Sequence, residues 1–154
     1  MGIEGDKVVT FKIGSEFFGI SIFHVMSIER IDAITKMPDL PIQIKGILNL
    51  RGDVIPIIDL RQFLLKKTQK DNDLNRIIVV KVDDTLAGLI VDEATEVLDI
   101  PNDSVSGVSL AGRELNRFLK VANIDGRLIM IVNIVELIKN SDIAQSLDAV
   151  KNFL

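Results

Sequence analysis

The chain of 154 residues contains no cysteine, no tryptophan, no tyrosine and one histidine, His24. Without cysteine there is no disulfide framework, no thiol nucleophile and no thiolate-ligated metal. One histidine cannot complete an N/S metal set by itself. Aromatic residues make up 5% of the chain, all of them phenylalanine, which argues against base-stacking platforms for single-stranded nucleic acid. A net charge of −4 and a pI near 5.0 give no overall basic field for nucleic acid. The short basic pair Lys66-Lys67 reads as a solvated helix end. No apolar run approaches the ~18 residues of a membrane span. Met1 to Lys7 carries no apolar core or cleavage pattern of a secretory leader. Gly2 suits myristoylation, but Asp6 stands where Ser or Thr is wanted. There is no Gly-rich phosphate loop and no HExxH pair. The expectation is a soluble, cytoplasmic, globular protein with no cofactor and no metal.

What is present is organised around Gly46 to Arg61, GILNLRGDVIPIIDLR. It reads as strand, tight turn, strand and the start of a short helix running to Lys67. Gly52 tolerates the positive φ that a short hairpin loop needs. Val54 to Ile58 has the length and apolarity of a buried strand. Pro56 lacks an N–H, so one side of that strand should lie at an edge or a bulge. Asp59 with Gln62 forms a weak capping box for the helix.

The pattern then recurs. Asn123 to Ile138 aligns with Asn49 to Leu64 at an offset of 74, pairing Gly126 with Gly52 and Asn133/Glu136 with Asp59/Gln62. Ile77 to Gly88 aligns with Val8 to Gly19 at an offset of 69, and Val25 and Ile28 then meet Ala94 and Val97. The offset grows because the second unit is longer around Pro101 to Arg117. Lys66 to Asn75 is the clearest polar boundary. The organisation expected is a first β-barrel over 7–67, a linker over 68–75, a second β-barrel over 76–140 and a C-terminal helix over 141–154. Together these form one domain whose terminal strands are free to exchange. Each unit of roughly 70 residues is small for an independent core, so the two should pack together with a groove between them. Glu114 to Phe118 suggests an added helical turn. In the last helix Ile143, Leu147, Val150 and Leu154 share a face, with Asp142 and Gln145 as its cap.

No catalytic constellation stands out. His24 lies among apolar residues, and Ser21 is three positions away without a nucleophile-elbow pattern. A small β-barrel enzyme or ligand-binding protein using His24 and nearby carboxylates remains the alternative from another class. Arg51, at the hairpin tip, is either a solvated turn residue or an Arg fork offered to a partner. Its counterpart Asp125 confines any such role to the first unit. Ile22, Val25, Ile28, Ala94 and Val97 divide in an unknown way between core and a slot for a partner helix.

Asn49-Leu-Arg-Gly52 followed by Val54 to Leu60 resembles the hallmark of the CheW family of bacterial chemotaxis coupling proteins. Gly88 to Asp92 with Val97, and Asp125-Gly-Arg127 with Val132-Asn133, resemble its second half, so the likeness covers residues 7 to 140. The resemblance implies a mostly β fold of two packed five-stranded SH3-like β-barrels with short helices and a C-terminal helix. It implies a non-catalytic scaffold that bridges chemoreceptor cytoplasmic tips to the regulatory domain of the histidine kinase CheA, at the inner face of the membrane. It also implies a receptor groove formed by Val25, Ser27, Glu29, Gly46, Arg51, Ala94 and Val97. Family members often carry Glu where this chain has Ser27, paired with the hallmark Arg. Either Glu29 takes over that pairing with Arg51, or Arg51 is free for a partner. The same module also occurs fused to a receiver domain, as in CheV, and within the kinase. The 154-residue length fits the free-standing form.

Overall fold

A computed structural model describes residues 6–65, 71–107, 109–110, 113–114 and 118–153. The elements are β1 (Asp6–Ile13), β2 (Glu16–Ser21), β3 (Val25–Arg30), β4 (Ile44–Leu50), β5 (Asp53–Asp59), α1 (Leu60–Leu65), β6 (Arg76–Val82), β7 (Thr85–Val91), β8 (Glu93–Ile100), β9 (Val105–Gly107), β10 (Ser109–Leu110), β11 (Arg113–Glu114), β12 (Leu119–Ile124), β13 (Arg127–Val132), α2 (Ile134–Lys139) and α3 (Ser141–Phe153). One sheet runs β8-β1-β2-β13-β12-β9 and the other β3-β6-β7-β5-β4. Each sheet therefore joins the first hairpin of one sequence unit to the remaining strands of the other.

The exchange is reciprocal and keeps register. Gly19 on β2 lies beside Ile131 on β13, and Gly88 on β7 lies beside Ile57 on β5, both in parallel pairs. Phe11 faces Ala94 across β1 and β8, and Val80 faces Val25 across β6 and β3. These positions are related by the offsets read from the sequence. Neither half can complete its sheet without the other's hairpin.

Both sheets close in the same way. A single 3-10 turn follows β8 at Asn102–Ser104, after which β9 returns to pair with β12. A 3-10 turn at Ile31–Ala33 follows β3, after which Thr35 bridges to Ile47 on β4. The edge strand thus wraps round to the opposite edge, which yields two small SH3-like barrels and removes open edges.

Burial follows the period-two alternation of each strand. Ile77 and Val79 of β6 point into one barrel with Leu48, Ile55, Ile57 and Ile90. Val8, Ile100, Ala122 and Ile129 fill the other. The largest cluster lies between the barrels, where Phe11, Ile13, Phe18 and Ile20 of one sheet meet Ile78, Val80, Val82, Leu89 and Val91 of the other. Strands β6 and β7 are buried on both faces, which accounts for their near-continuous apolar runs. Helix α3 docks Ile143, Leu147 and Val150 onto this same cluster.

Three local expectations change. The α3 cap is Asn140, whose side chain accepts from Ile143 N at 3.3 Å and whose carbonyl accepts from Ala144 N at 2.8 Å, not Asp142. Residues 113–114 form β11 and not a helical turn, while 115–117 lie outside the described residues, as does Leu154. Strand β5 is an inner strand, but its pairing with β7 begins at Ile57, so Pro56 is paired on the β4 side alone.

Candidate functional site

Both hallmark turns are built alike. Arg51 and Gly52 have φ of 55° and 90°, and Asp125 and Gly126 have φ of 52° and 85°. Two successive positive values define the turn whose twist matches a β-hairpin. The side chain of Asn49 accepts from Gly52 N at 3.2 Å, and that of Asn123 accepts from Gly126 N at 3.0 Å. Asn precedes the turn in both units because its carbonyl oxygen satisfies an amide that the hairpin leaves unpaired.

Arg51 is exposed at its tip and forms no ion pair among the described residues. Glu29, half-buried on β3, forms no ion pair with it, so Glu29 does not take over that pairing. Ser27, on the same face of β3, buries its hydroxyl with no hydrogen-bond partner among the described residues. The hydroxyl occupies the place where the second unit has an acid. Glu96, the repeat counterpart of Ser27, meets Arg127 Nη2 at 3.1 Å, and the Arg127 guanidinium lies 5.1 Å from the centre of the Phe17 ring. One barrel therefore carries a closed ionic clasp between its edge strand and its second hairpin. The matching positions in the other barrel, Ser27 and Asp53, carry none.

The apolar candidates now divide. Val25 is half-buried and packs on the inter-barrel core, and Ala94 is half-buried. Ile22, Ile28 and Val97 are exposed, Ile28 at 43% and Val97 at 52%. Val25 begins β3 just after the 3-10 turn Ile22–His24 carries the chain from one sheet to the other. Ala94 is the second residue of β8, just after Asp92 makes the opposite crossing, where Asp92 N donates to Lys12 O at 3.0 Å. Both sit where the two barrels meet. Gly46 is buried, and a Cβ there would come within 2.6 Å of Ile34 Cγ2 and of the Thr35 carbonyl oxygen. Glycine lets the barrel-closing segment cross β4.

His24 takes part in the crossing. Its Nδ1 lies 3.3 Å from Lys81 O, and its ring meets Phe23 edge-on. Ser21 caps the same turn by accepting from Phe23 N at 3.3 Å. Among the described residues no group of three or more His, Asp or Glu is placed to hold a metal. No helix among them is long and apolar enough to cross a membrane. A pocket of about 220 Å³ opens between the start of β5, the β6–β7 turn and α3. None of the groove residues lines it.

Sequence reasoning missed Arg61, the largest fully buried side chain. Its Nε and Nη2 donate to the two oxygens of Asp59 at 2.9 and 3.1 Å. Nη2 also reaches Asp71 at 2.9 Å, and Nη1 reaches Asp92 at 3.3 Å and Asn75 at 3.4 Å. Asp92 Oδ2 accepts in turn from Gly14 N at 2.6 Å. Burial by itself would lower the guanidinium pKa. Hydrogen bonds to Asp59 and Asp71 with the charge of Asp59 outweigh it, so Arg61 is held above its ordinary range and stays charged. Burial likewise would raise the Asp71 carboxyl, but the hydrogen bond from Arg61 and the charge of Lys45 hold it below the usual range. This network fixes the β5–α1 junction, the connector at 71–75, the β7–β8 crossing and the β1–β2 turn to one another.

Two exchanged barrels with shaped, mainly apolar surfaces at their junction define a protein-binding module. Residues 7–142 match the CheW-like domain model, and the chain belongs to that family. It is 30% identical over 134 residues to a chemotaxis protein CheW of Helicobacter pylori, covering 86% of this chain and 81% of that one. It is 30% identical over 142 residues to a probable chemotaxis protein CheW of Rhizobium etli, covering 90% and 92%. Among solved structures, the scaffolding protein TtCheW of Thermoanaerobacter tengcongensis superposes with a TM-score of 0.78 at 32% identity, covering 91% of this chain and 92% of that chain.

Proposed function

We propose that this protein is a non-catalytic scaffold of bacterial chemotaxis signalling, coupling chemoreceptor cytoplasmic tips to the regulatory domain of the histidine kinase CheA. The observation that carries this reading is the family match over 7–142, on a fold that agrees with a CheW scaffold along nine-tenths of both chains. The protein works in the cytoplasm and is recruited to receptor arrays at the inner face of the membrane. Receptors dock where the barrels meet, against Val25, Ser27, Glu29, Arg51, Ala94 and Val97, with Gly46 shaping the adjoining barrel wall. Ile28, the exposed repeat counterpart of Val97, joins them. A half-buried to exposed apolar line of Val25, Ile28, Ala94 and Val97 suits the apolar face of an amphipathic helix. The roles of Ser21 and His24 in the β2–β3 crossing give both residues a structural purpose.

The test is a pull-down, followed by calorimetry, with a soluble receptor cytoplasmic fragment and the isolated CheA regulatory domain. Both should bind, and binding of one should leave room for the other. Binding to neither overturns the reading. His24→Ala should leave both interactions in place.

A further inference from the structure

The pocket between the start of β5, the β6–β7 turn and α3 has a volume of about 220 Å³ and serves none of the contacts assigned above. Its floor is apolar. Ile138, Leu147 and Val150 line it while being only 6%, 7% and 1% exposed. Three carboxylates stand around it, Asp53 at the start of β5, Asp84 in the β6–β7 turn and Asp148 on α3. They come from three separate elements. All three residues are exposed, and none forms an ion pair among the described residues. No described Lys, Arg or His lines the pocket. Lys81, the cross-strand partner of Leu86, is exposed and lies outside the lining.

The repeat shows what the matching place in the other barrel accommodates. At the offsets of 74 and 69, Asp53 corresponds to Arg127 and Leu86 to Phe17. There the Arg127 guanidinium lies 5.1 Å from the centre of the Phe17 ring, so the chain lays its own cation over an apolar side chain. Here the position of that cation holds a carboxylate, and Leu86 lines an open pocket. The charge is inverted at matching positions of two like barrels. An external cation fits where the other barrel uses an internal one.

We propose that this pocket binds a small organic cation, an ammonium or guanidinium on a short apolar body. The body rests on Leu86, Leu147 and Val150, and the charge sits among Asp53, Asp84 and Asp148. Pockets for drug-sized ligands run to about 300–1,000 Å³, so the smaller volume here suits a single ring or a short chain. A flat protein surface does not reach floor side chains buried this deeply, and a slender free molecule does. Each exposed carboxylate contributes modestly, and the sum is sensitive to salt. The site is separate from the receptor groove and does not rest on the chemotaxis reading.

The test titrates phenethylammonium chloride into the isotope-labelled full-length protein and follows backbone amides by NMR. Neutral phenethyl alcohol and anionic phenylacetate serve as probes of similar shape. The ammonium should shift the amides of Leu86, Ala144 and Leu147 to saturation and bind at least about fivefold tighter than the alcohol. Phenylacetate should not bind. Asp84→Asn and Asp148→Asn should each weaken the ammonium about twofold to fivefold, and high salt should narrow its advantage over the alcohol. Ala144→Leu fills the pocket and should remove binding. Asp84 and Asp148 are exposed, so their variants keep the test decisive if Ala144→Leu fails to fold. Equal affinity for ammonium and alcohol, unchanged affinity in both aspartate variants, or no saturable shift at those amides overturns the inference. A blocked arginine, its side chain tied to a backbone, should bind more weakly than phenethylammonium, and the reverse order overturns the assignment to a free ligand. None of these readouts involves a receptor or a kinase, so failure here leaves the functional reading standing.

Discussion

Two junctions where a strand hands over to a short helix are repeat counterparts, yet they are built from different chemistry. At α2 the cap is neutral, with the Asn133 side chain accepting from Glu136 N at 3.1 Å, and two residues later Val135 packs on the inter-barrel core. At α1 the cap is Asp59, accepting from Arg61 N and Gln62 N at 3.1 and 3.4 Å, and the residue matching Val135 is Arg61. Asp59 is 7% exposed and Arg61 is fully buried. A neutral cap lets the next turn be apolar. A buried carboxylate cap demands an internal cation, and that cation has donors left over. Here the spare donors bind Asp71 and Asp92, so the α1 junction becomes the place where distant segments are tied. At the α2 junction the tie to a distant segment is a backbone one, Asn133 N donating to Phe118 O at 2.7 Å.

The sharpest way to break this contrast is to copy one junction into the other. Arg61→Val places the α2 residue at α1 and leaves the buried Asp59 without its hydrogen-bonded guanidinium, with Lys45 Nζ still 3.9 Å away. A loss of about 3–5 kcal/mol is expected in urea unfolding, the usual cost of removing one member of a buried ion pair. Asp59→Asn combined with Arg61→Val completes the copy and should recover a substantial part of that loss. If the single and double variants are equally unstable, the carboxylate is not what makes Arg61 necessary.

A smaller effect tests glycine in two roles. Gly46→Ala drives a Cβ against the Thr35 carbonyl, which is backbone and cannot swing aside, and should cost about 1–3 kcal/mol. Gly126→Ala meets nothing within 4 Å but holds φ at +85°, so its cost should be about 1 kcal/mol, from strain alone. Thermal unfolding of the two variants ranks them, and a larger shift for Gly126→Ala would contradict the steric role given to Gly46.

The repeat was legible because it is written in local chemistry. Asn49 and Asn123 two residues before each turn centre, glycine at Gly52 and Gly126, and the matching apolar runs all act within a few residues. They gave the hairpins, the helix starts and the offsets at which the registers later agree. The offsets could not show that each barrel borrows the other unit's first hairpin, since either pairing satisfies the same alternation of apolar residues. Arg61 was missed for a similar reason. Its partners at 71, 75 and 92 are remote in the chain, and an arginine at a helix start looks like a solvated charge. A trace was available, because the 74-residue offset places Arg61 opposite Val135, and a charge where the repeat wants an apolar residue must be either outside or paired. The candidate groove set rests on family likeness, because half-buried Val25 and Ala94 differ from core valine and alanine in nothing the sequence displays.

The connector's share of the tie should appear in the pH dependence. Arg61 stays charged throughout the accessible range, so it contributes no slope. Asp71 has a lowered folded pKa, so its contribution is fully present above its unfolded pKa of about 4 and is lost as pH falls through the folded value. Asp71→Asn should therefore be less stable than the parent at pH 7, with the gap closing below about pH 4. The gap should be smaller than for Gly46→Ala, because 35% of the Asp71 side chain is exposed and solvent screens the pair. A gap that stays constant from pH 7 to pH 3 would assign the effect to lost packing and not to charge.

The smallest effect belongs to the clasp that distinguishes the barrels at the groove. Glu96 and Arg127 are 51% and 41% exposed, so the ion pair alone should contribute about 0.2–1 kcal/mol. Arg127 also stacks over Phe17, which adds a contact that survives neutralisation of Glu96. A double-mutant cycle of Glu96→Gln and Arg127→Met separates the two. Arg127→Met should cost more than Glu96→Gln, and the coupling between them should fall within that small range and fade in high salt. Installing the acid on the other side tests the same geometry from the opposite direction. Ser27→Glu with Asp53→Arg copies the clasp into this barrel and should show a comparable small, salt-sensitive coupling; its absence would mean that the two barrels do not share this geometry.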